Sequence, residues 1–409
     1  MNFIQRQMAR LAFKGVDLSL LDPKGWQFIG GGSTWAKMTV LPDTQFQITA
    51  AWSAIRLISE TIGAMPLHLY KKTGDGRERA SSHPLCELIE GQPNGYMTAC
   101  NFKEAIAVSL VTEGQSYSLT TRVPGSGRVV SIEPLHRSRI KPEIKGTGEI
   151  VYGFTDRQGA RRELSAVDAC PIRGFGNAGE LEGFAPHRLH ANSMALTLAI
   201  EKYGSDFFGS GGRPSGFLST EGEFKAEQRD AIRENFNKYT RESWASGSLP
   251  ILERNLKYTA VTQPNNEAQF LETRKHQIAE VARIYRVPPH MLMEMDRATD
   301  NNSEQAGKAF LDKTLLPYLV RIEEGLNANL LTAQERSKEQ LYFKFDVRGL
   351  LRGDSAQRSK YYLDMRMAGA MTQNEVRTLE DMIKIDGADD LHVPLNMAPS
   401  DMLRQIEKV

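Results

Sequence analysis

A chain of 409 residues is long enough for two or three domains with self-sufficient cores. Its composition, 40% hydrophobic and 25% charged, is that of an ordinary globular protein. With 51 basic and 50 acidic side chains the net charge is +1, which argues against a tight nucleic-acid binder but not against a surface that lets DNA slide past.

Residues 1–43 read as an N-terminal arm, with an amphipathic pattern over 1–13 and a flexible break at Gly30, Gly31 and Gly32. Folded structure is expected from residue 44. Ile48, Trp52, Ile55, Ile58 and Ile62 recur at helical spacing across 45–62. A strand is expected over 67–70 and a charged hairpin turn around Gly74 and Gly76. Helices follow over 83–90 and 98–113, the second carrying Phe102, Ile106, Leu110 and Val111.

Residues 116–172 change character. β-Branched and aromatic runs at 117–121, 129–132, 140–144 and 150–154 alternate with turns, and Pro171 limits a weaker run at 170–172 to an edge or a strand start. Together they read as one small antiparallel sheet. Gly174, Gly176 and Gly179 have dinucleotide-loop spacing, but Glu180 and Glu182 intervene before the next helix and would repel phosphate. A flexible turn is the expectation there.

A long helix is expected over 186–208, with Leu189, Leu196, Ile200, Tyr203 and Phe207 as its apolar stripe. Residues 211–264 form an insert of strand, helix, strand, strand. A second long helix, 266–285, carries Phe270, Ile278, Val281, Ala282 and Tyr285 on one side. It stops at Val287-Pro288-Pro289, because proline lacks the backbone donor and disfavours helix in the residue before it. A polar loop spans 293–302. A third long helix runs from about 303 to 331 with Pro317 inside it, a kink worth about 3 kcal/mol in isolation that packing must support. A strand at 341–347 alternates Leu341, Phe343, Phe345 and Val347. Helices at 354–368 and 372–382 follow, the latter opened by a Thr372/Glu375 capping box, and 385–409 reads as a loose tail.

The chain offers no recognisable chemistry. Cys86, Cys100 and Cys170 lack metal-ligand spacing and read as small buried residues in a reducing compartment. His187 and His190 stand three apart without a cysteine or carboxylate partner at metal-site spacing. The pairs Glu323/Glu324 and Asp389/Asp390 read as solvated helix surface and tail. No phosphate-binding loop, nucleophile elbow or zinc-protease motif occurs. No run approaches the ~18–20 apolar residues of a membrane helix, and the start lacks a signal peptide's apolar segment, so synthesis in the cytosol is expected. No catalytic residue, metal or cofactor is expected, and the fold class is α+β.

Four stretches in order carry a resemblance. They are AWSAIRLISETIGAMPLHLY at 51–70; Glu201-Lys-Tyr-Gly204 with Phe207-Phe208 and Arg213-Pro-Ser-Gly-Phe-Leu218; Gln269-Phe-Leu-Glu-Thr-Arg274 with IAEVARIYRVPPHML at 278–292; and Asn302-Ser-Glu-Gln305 with Phe310 and Leu316-Pro317. In this series the chain resembles portal proteins of tailed double-stranded DNA bacteriophages, in the branch found in siphophages. A Gly-Leu-Ser-Pro-like turn often found before the first stem helix is here Glu182-Gly-Phe-Ala-Pro186.

The resemblance implies a ring of subunits, usually twelve, at one capsid vertex, assembled in the host cytoplasm, with a channel for packaged and ejected DNA. It implies a portal fold: an arm (1–43), an α/β wing (44–185), stem helices (186–210 and 265–289) around a small α/β clip (211–264), a tunnel loop (290–303), a long kinked helix with a wing return strand (304–349), and a helical crown with tail (350–409). Arg297, Thr299, Asn301 and Asn302 would line the channel, where mixed charge lets duplex DNA pass. Glu227, Arg233, Lys238, Arg241 and Trp244 would present the clip to the terminase large subunit and to head-tail adaptors, and the major capsid protein would surround the ring. A ring-forming head-tail adaptor without DNA passage, or another non-enzymatic virion structural protein, is the alternative.

Overall fold

The computed structural model describes residues 34–36, 38, 40–74, 76–209, 216–219, 229–232, 234, 257–260, 267–292, 303–347, 355–380 and 382–391. Helix α1 (Thr49–Ala64) is followed by strands β1 (Leu67–Thr73) and β2 (Gly76–Arg79) and helix α2 (Ala99–Glu113). Strands β3 (Gln115–Arg122), β4 (Val129–Leu135), β5 (Ile140–Ile144), β6 (Ile150–Thr155), β7 (Arg161–Leu164) and β8 (Ile172–Arg173) come next. Helix α3 (Ala191–Gly209), strands β9 (Gly216–Ser219) and β10 (Lys257–Ala260) and helix α4 (Glu267–Tyr285) follow. The chain continues through helices α5 (Ser303–Phe310) and α6 (Leu316–Asn329), strand β11 (Leu341–Phe345), and helices α7 (Ser355–Met367) and α8 (Gln373–Leu379). The result is the expected α+β mixture.

The chain divides into two compact units. One holds Met1–Glu60, Glu104–Ser118 and Pro134–Asp296; the other holds Thr61–Lys103, Leu119–Glu133 and Arg297–Val409.

In the first unit, α1 buries Ala51, Ile55 and Ile58, and Ile48 just ahead of it is buried too, while Trp52 is 48% exposed. Trp52 therefore departs from the expected apolar face; its ring meets Phe46 edge-on, centroids 5.9 Å apart. Residues 116–172 contribute to two three-stranded sheets, β4-β3-β8 and β5-β6-β7, and not one; only the second lies wholly in the first unit, because residues 119–133 belong to the other. The turn Arg137–Arg139, capped by His136, redirects the chain into β5. Strand β7 carries the sequence RREL, so no apolar pattern announces it. It is held by main-chain pairing, Thr155 opposite Arg161 through Tyr152 opposite Leu164.

The glycine loop is not a flexible turn. Gly114 ends α2 at φ +73°, and the Gly174 N–H donates to its carbonyl at 2.8 Å. A Cβ on Gly114 would overlap the Phe184 carbonyl, and one on Gly174 or Gly183 would overlap the Gly114 carbonyl. Glycine is needed because three backbones cross here with no room for side chains. Glu182 does not stand free: it pairs with Arg137.

In the second unit, β1 lies between β11 and β2, antiparallel to both, with Leu67 opposite Phe345 and Tyr70 opposite Arg79. Leu341, Phe343 and Phe345 alternate inward, and α6 packs against this strand through a face that includes the buried Leu319, Ile322 and Leu326. Glu323 is buried among them, contrary to the solvated face expected of it. Its carboxylate accepts from Lys344 Nζ at 2.8 Å and from the Phe345 N–H at 2.9 Å. A buried carboxylate is tolerable because these donors replace water.

Pro317 is the second residue of α6, but the residues ahead of it keep right-handed helical angles, so it lies inside a continuous helical run, where it supplies no N–H donor. A π-turn, Leu311–Leu315, precedes it, with the Leu316 N–H reaching back to the Leu311 carbonyl. The Thr372/Glu375 capping box forms as expected. Residues 385–388 are not loose, because Asn374, 1% exposed, bonds to both main-chain groups of Ile385 and to the Ala388 carbonyl. Cys86 and Cys170 are buried, but Cys100 is exposed on α2.

Candidate functional site

Helix α3 and helix α4 pack against each other in the first unit. The sequence predicts one continuous helix from residue 186, but the chain makes a separate turn, Pro186–Leu189, and breaks at His190 before α3 begins. Proline starts that turn, and the His190 conformation (φ −108°, ψ 24°) stops it. His187, on this turn, is buried, and its Nδ1 lies 3.2 Å from the Thr112 carbonyl. Burial pushes its pKa below the ordinary value, with the Glu113 carboxylate pulling the other way.

The apolar residues of α3 divide between two faces. Met194, Ala195 and Leu198 are buried. Leu189, Leu196 and Tyr203, part of the expected apolar stripe, are 59%, 45% and 50% exposed. Leu196 and Tyr203, seven residues apart, lie near one line of α3, while Leu189 belongs to the turn ahead of the break at His190. All three side chains are about half exposed in the single subunit.

On the packed side, the Thr197 hydroxyl lies 3.1 Å from both the Ser193 carbonyl and the Gln277 side-chain oxygen, and has one proton to give. Gln277, Val281, Ala282 and Tyr285 form the buried side of α4. The Tyr285 hydroxyl donates to buried Gln45 at 2.9 Å, which ties the end of α4 to the turn ahead of α1. The helix closes as a Schellman motif: Val287 N–H meets the Ala282 carbonyl, and Arg286 takes the left-handed position at φ +59°.

Between the start of α1 and these two helices lies a cleft of about 140 Å³. Ala50, Ile200, Ile278 and Leu292 contribute apolar wall, and Glu201 and Arg274 contribute opposite charges. Burial raises the Glu201 pKa, and the nearby Arg274 guanidinium opposes the shift. The outer face of α4 mixes signs: Arg274 and Lys275 are exposed, while Glu280 pairs with Arg283 and lies 3.9 Å from His276.

Helices α3 and α4 bracket an insert in which β9 and β10 pair antiparallel, Gly216 opposite Ala260 and Ser219 opposite Lys257. The residues proposed there, Glu227, Arg233, Lys238, Arg241 and Trp244, lie outside the described residues, as do Arg297, Thr299, Asn301 and Asn302 of the polar loop. Among the described residues no group of histidine, cysteine and carboxylate side chains could hold a metal. No described helix is long and apolar enough to cross a membrane.

The sequence profile of the family described as "Phage portal protein" matches residues 49–381, from the first residue of α1 to just beyond α8. The chain belongs to the phage portal protein family. It is 31% identical to the portal protein of Enterobacteria phage HK97 over 84% of this chain and 80% of that one. It is 29% identical to a probable portal protein of Streptomyces phage phiC31, over 88% and 80%. The fold of this portal-family chain is shared with a crystal structure of an HK97 family phage portal protein from Corynebacterium diphtheriae, with TM-score 0.58, 16% identity, and 79% and 98% coverage. It is also shared with a chain in the neck of a native gene transfer agent particle computed with C12 symmetry, with TM-score 0.56, 21% identity, and 84% and 92% coverage. The resemblance to siphophage portal proteins and the α+β portal fold are thereby borne out.

Sequence reasoning missed the cleft. Glu201 and Arg274 each stand in a stretch that carries the resemblance, but they are 73 positions apart and neither stretch shows that they meet.

Proposed function

We propose that this portal protein assembles into a ring of twelve at one capsid vertex and serves as a channel for DNA during packaging and ejection, without catalytic chemistry of its own. The observation that carries the ring is the exposed apolar surface of this region, Leu196 and Tyr203 on α3 and Leu189 just ahead of it. Fully covering one large apolar side chain is worth about 1.5–3 kcal/mol, so covering the exposed half of each favours association by a part of that. Family membership and the C12 symmetry of the related particle neck support the ring number.

In this reading residues 44–185 with β11 form the wing, α3 and α4 the stem, and the insert around β9 and β10 the clip that meets the terminase large subunit and later the head-tail adaptors. The loop with Arg297, Thr299, Asn301 and Asn302 contacts the duplex weakly, because a tight grip on phosphate would have to be broken at every step. The near-neutral total charge agrees with such passage.

Electron microscopy of the purified protein, with native mass measurement, tests the ring. Open rings wide enough for duplex DNA are expected, and Leu196→Asp with Tyr203→Asp should leave folded single subunits. A compact dimer with a closed centre would overturn the reading. Replacing the loop by a short glycine linker should lower the DNA retained in heads; normal retention would remove the loop from the mechanism.

A further inference from the structure

Trp35 holds its indole 90% exposed, yet the turn that presents it is anchored. Thr34 is buried, its hydroxyl donates to the Met38 carbonyl at 2.6 Å, and the Met38 N–H returns a bond to the same oxygen at 3.1 Å. The Trp35 N–H donates to Oδ1 of Asn192, at the start of α3, at 3.1 Å. A large aromatic group fixed in water by its own backbone is the kind of side chain that anchors interfaces.

The cleft beside α3 has matching chemistry. Ala50, Ile200, Ile278 and Leu292 offer apolar wall to a flat ring. Arg274 can lie over an indole face, and the Glu201 carboxylate can accept from the one indole N–H. Burial raises the Glu201 pKa, a sign that water is already partly excluded where a donor would be welcome. The subunit's own indole does not occupy this cleft, since it is 90% exposed. Its anchor, Asn192, lies nine positions from Glu201, about 13 Å along the helix.

We propose that Trp35 of one subunit inserts into the Glu201–Arg274 cleft of the next subunit in the ring. Knob and hole are different patches of one chain, so the contact is head-to-tail, the type that closes into rings when repeated. The proposal rests on the ring reading above and names one of its contacts.

The test uses the full chain carrying photoreactive p-benzoylphenylalanine in place of Trp35. Irradiated rings should yield covalent dimers and higher multimers on denaturing gels, with cross-linked peptides mapping to residues 197–201 and 274–278. Rings whose cross-links stay within one chain, or map elsewhere on a neighbour, would overturn the proposal and leave the ring intact. Absence of rings in unsubstituted protein would overturn both. Independently, Trp35→Ala should raise the concentration at which rings dissociate at least tenfold, and Arg274→Ala added to it should bring little further loss, since both remove one contact. Fully additive losses would count against the contact.

Discussion

The carboxylate of Glu323 accepts the main-chain N–H of Phe345 at 2.9 Å, fixing α6 to the strand that pairs with β1. Lys344 supplies the second donor at 2.8 Å. Glu323→Ala strands a buried N–H and an ammonium without their acceptor, and should lower stability by about 2–3 kcal/mol. Glu323→Gln keeps one oxygen and should lose about 1 kcal/mol. Melting temperature reads the difference, at roughly 2–4 °C per kcal/mol for a unit of this size. Equal, negligible shifts for both variants would mean that the carboxylate does not latch the helix.

The backbone crossing at Gly114 makes a second, sharper prediction. Gly114→Ala requires a left-handed alanine and a Cβ inside the Phe184 carbonyl, and should cost about 3 kcal/mol or more. Gly146→Ala meets open space and should change stability by less than about 0.5 kcal/mol. Soluble yield and melting temperature compare the two. A well-folded Gly114→Ala protein would show that the crossing can open.

His187 predicts a pH dependence. The Thr112 carbonyl can only accept, so Nδ1 carries a proton in either charge state; burial keeps the pKa below the ordinary 6.5, opposed by the Glu113 carboxylate and by this hydrogen bond. Near and below pH 6.5 the unfolded chain takes up a proton that the native chain resists. Stability is therefore complete above 6.5 and falls as pH drops from 6.5 toward the lower native pKa. One proton limits the slope to about 1.4 kcal/mol per pH unit. The lowered Glu335 carboxyl acts in a separate window, below 4.5. Melting curves from pH 7 to pH 5 should show a flatter slope for His187→Phe than for the unsubstituted protein. An unchanged slope would place its source in another group.

Asn374 anchors the segment after α8 through three hydrogen bonds, two from its side chain to Ile385 and one from its N–H to the Ala388 carbonyl. Asn374→Ala removes the side-chain pair and leaves both Ile385 main-chain groups without that partner, a loss of about 1–3 kcal/mol local to this segment. Limited proteolysis should then cut at residues 383–390 several times faster, with little change in the rest of the digest. An unaltered pattern would show that other contacts hold the segment.

Much of the backbone was legible in the sequence because its signals are local. The Thr372/Glu375 box, Val287-Pro288-Pro289 after α4 and the alternation of Leu341, Phe343 and Phe345 each state a dihedral preference within a few residues. Strand β7 was illegible for the converse reason: RREL has no preference of its own, and its pairing comes from β6. Pro317 was visible, but the π-turn that accommodates it was not, since that turn is set by the packing of Leu311 and Leu315.

The order of elements, their caps and the family series were determined by the sequence alone. Which faces are covered was decided only by the tertiary structure. Helical spacing identified Leu189, Leu196 and Tyr203 as part of an apolar stripe and Glu323 as one of a charged pair; packing left those three about half exposed and buried Glu323. A periodic pattern records that a side chain is apolar at a given angle around its helix. Burial depends on what other part of the chain, or what other subunit, arrives at that angle, and that partner is remote in sequence.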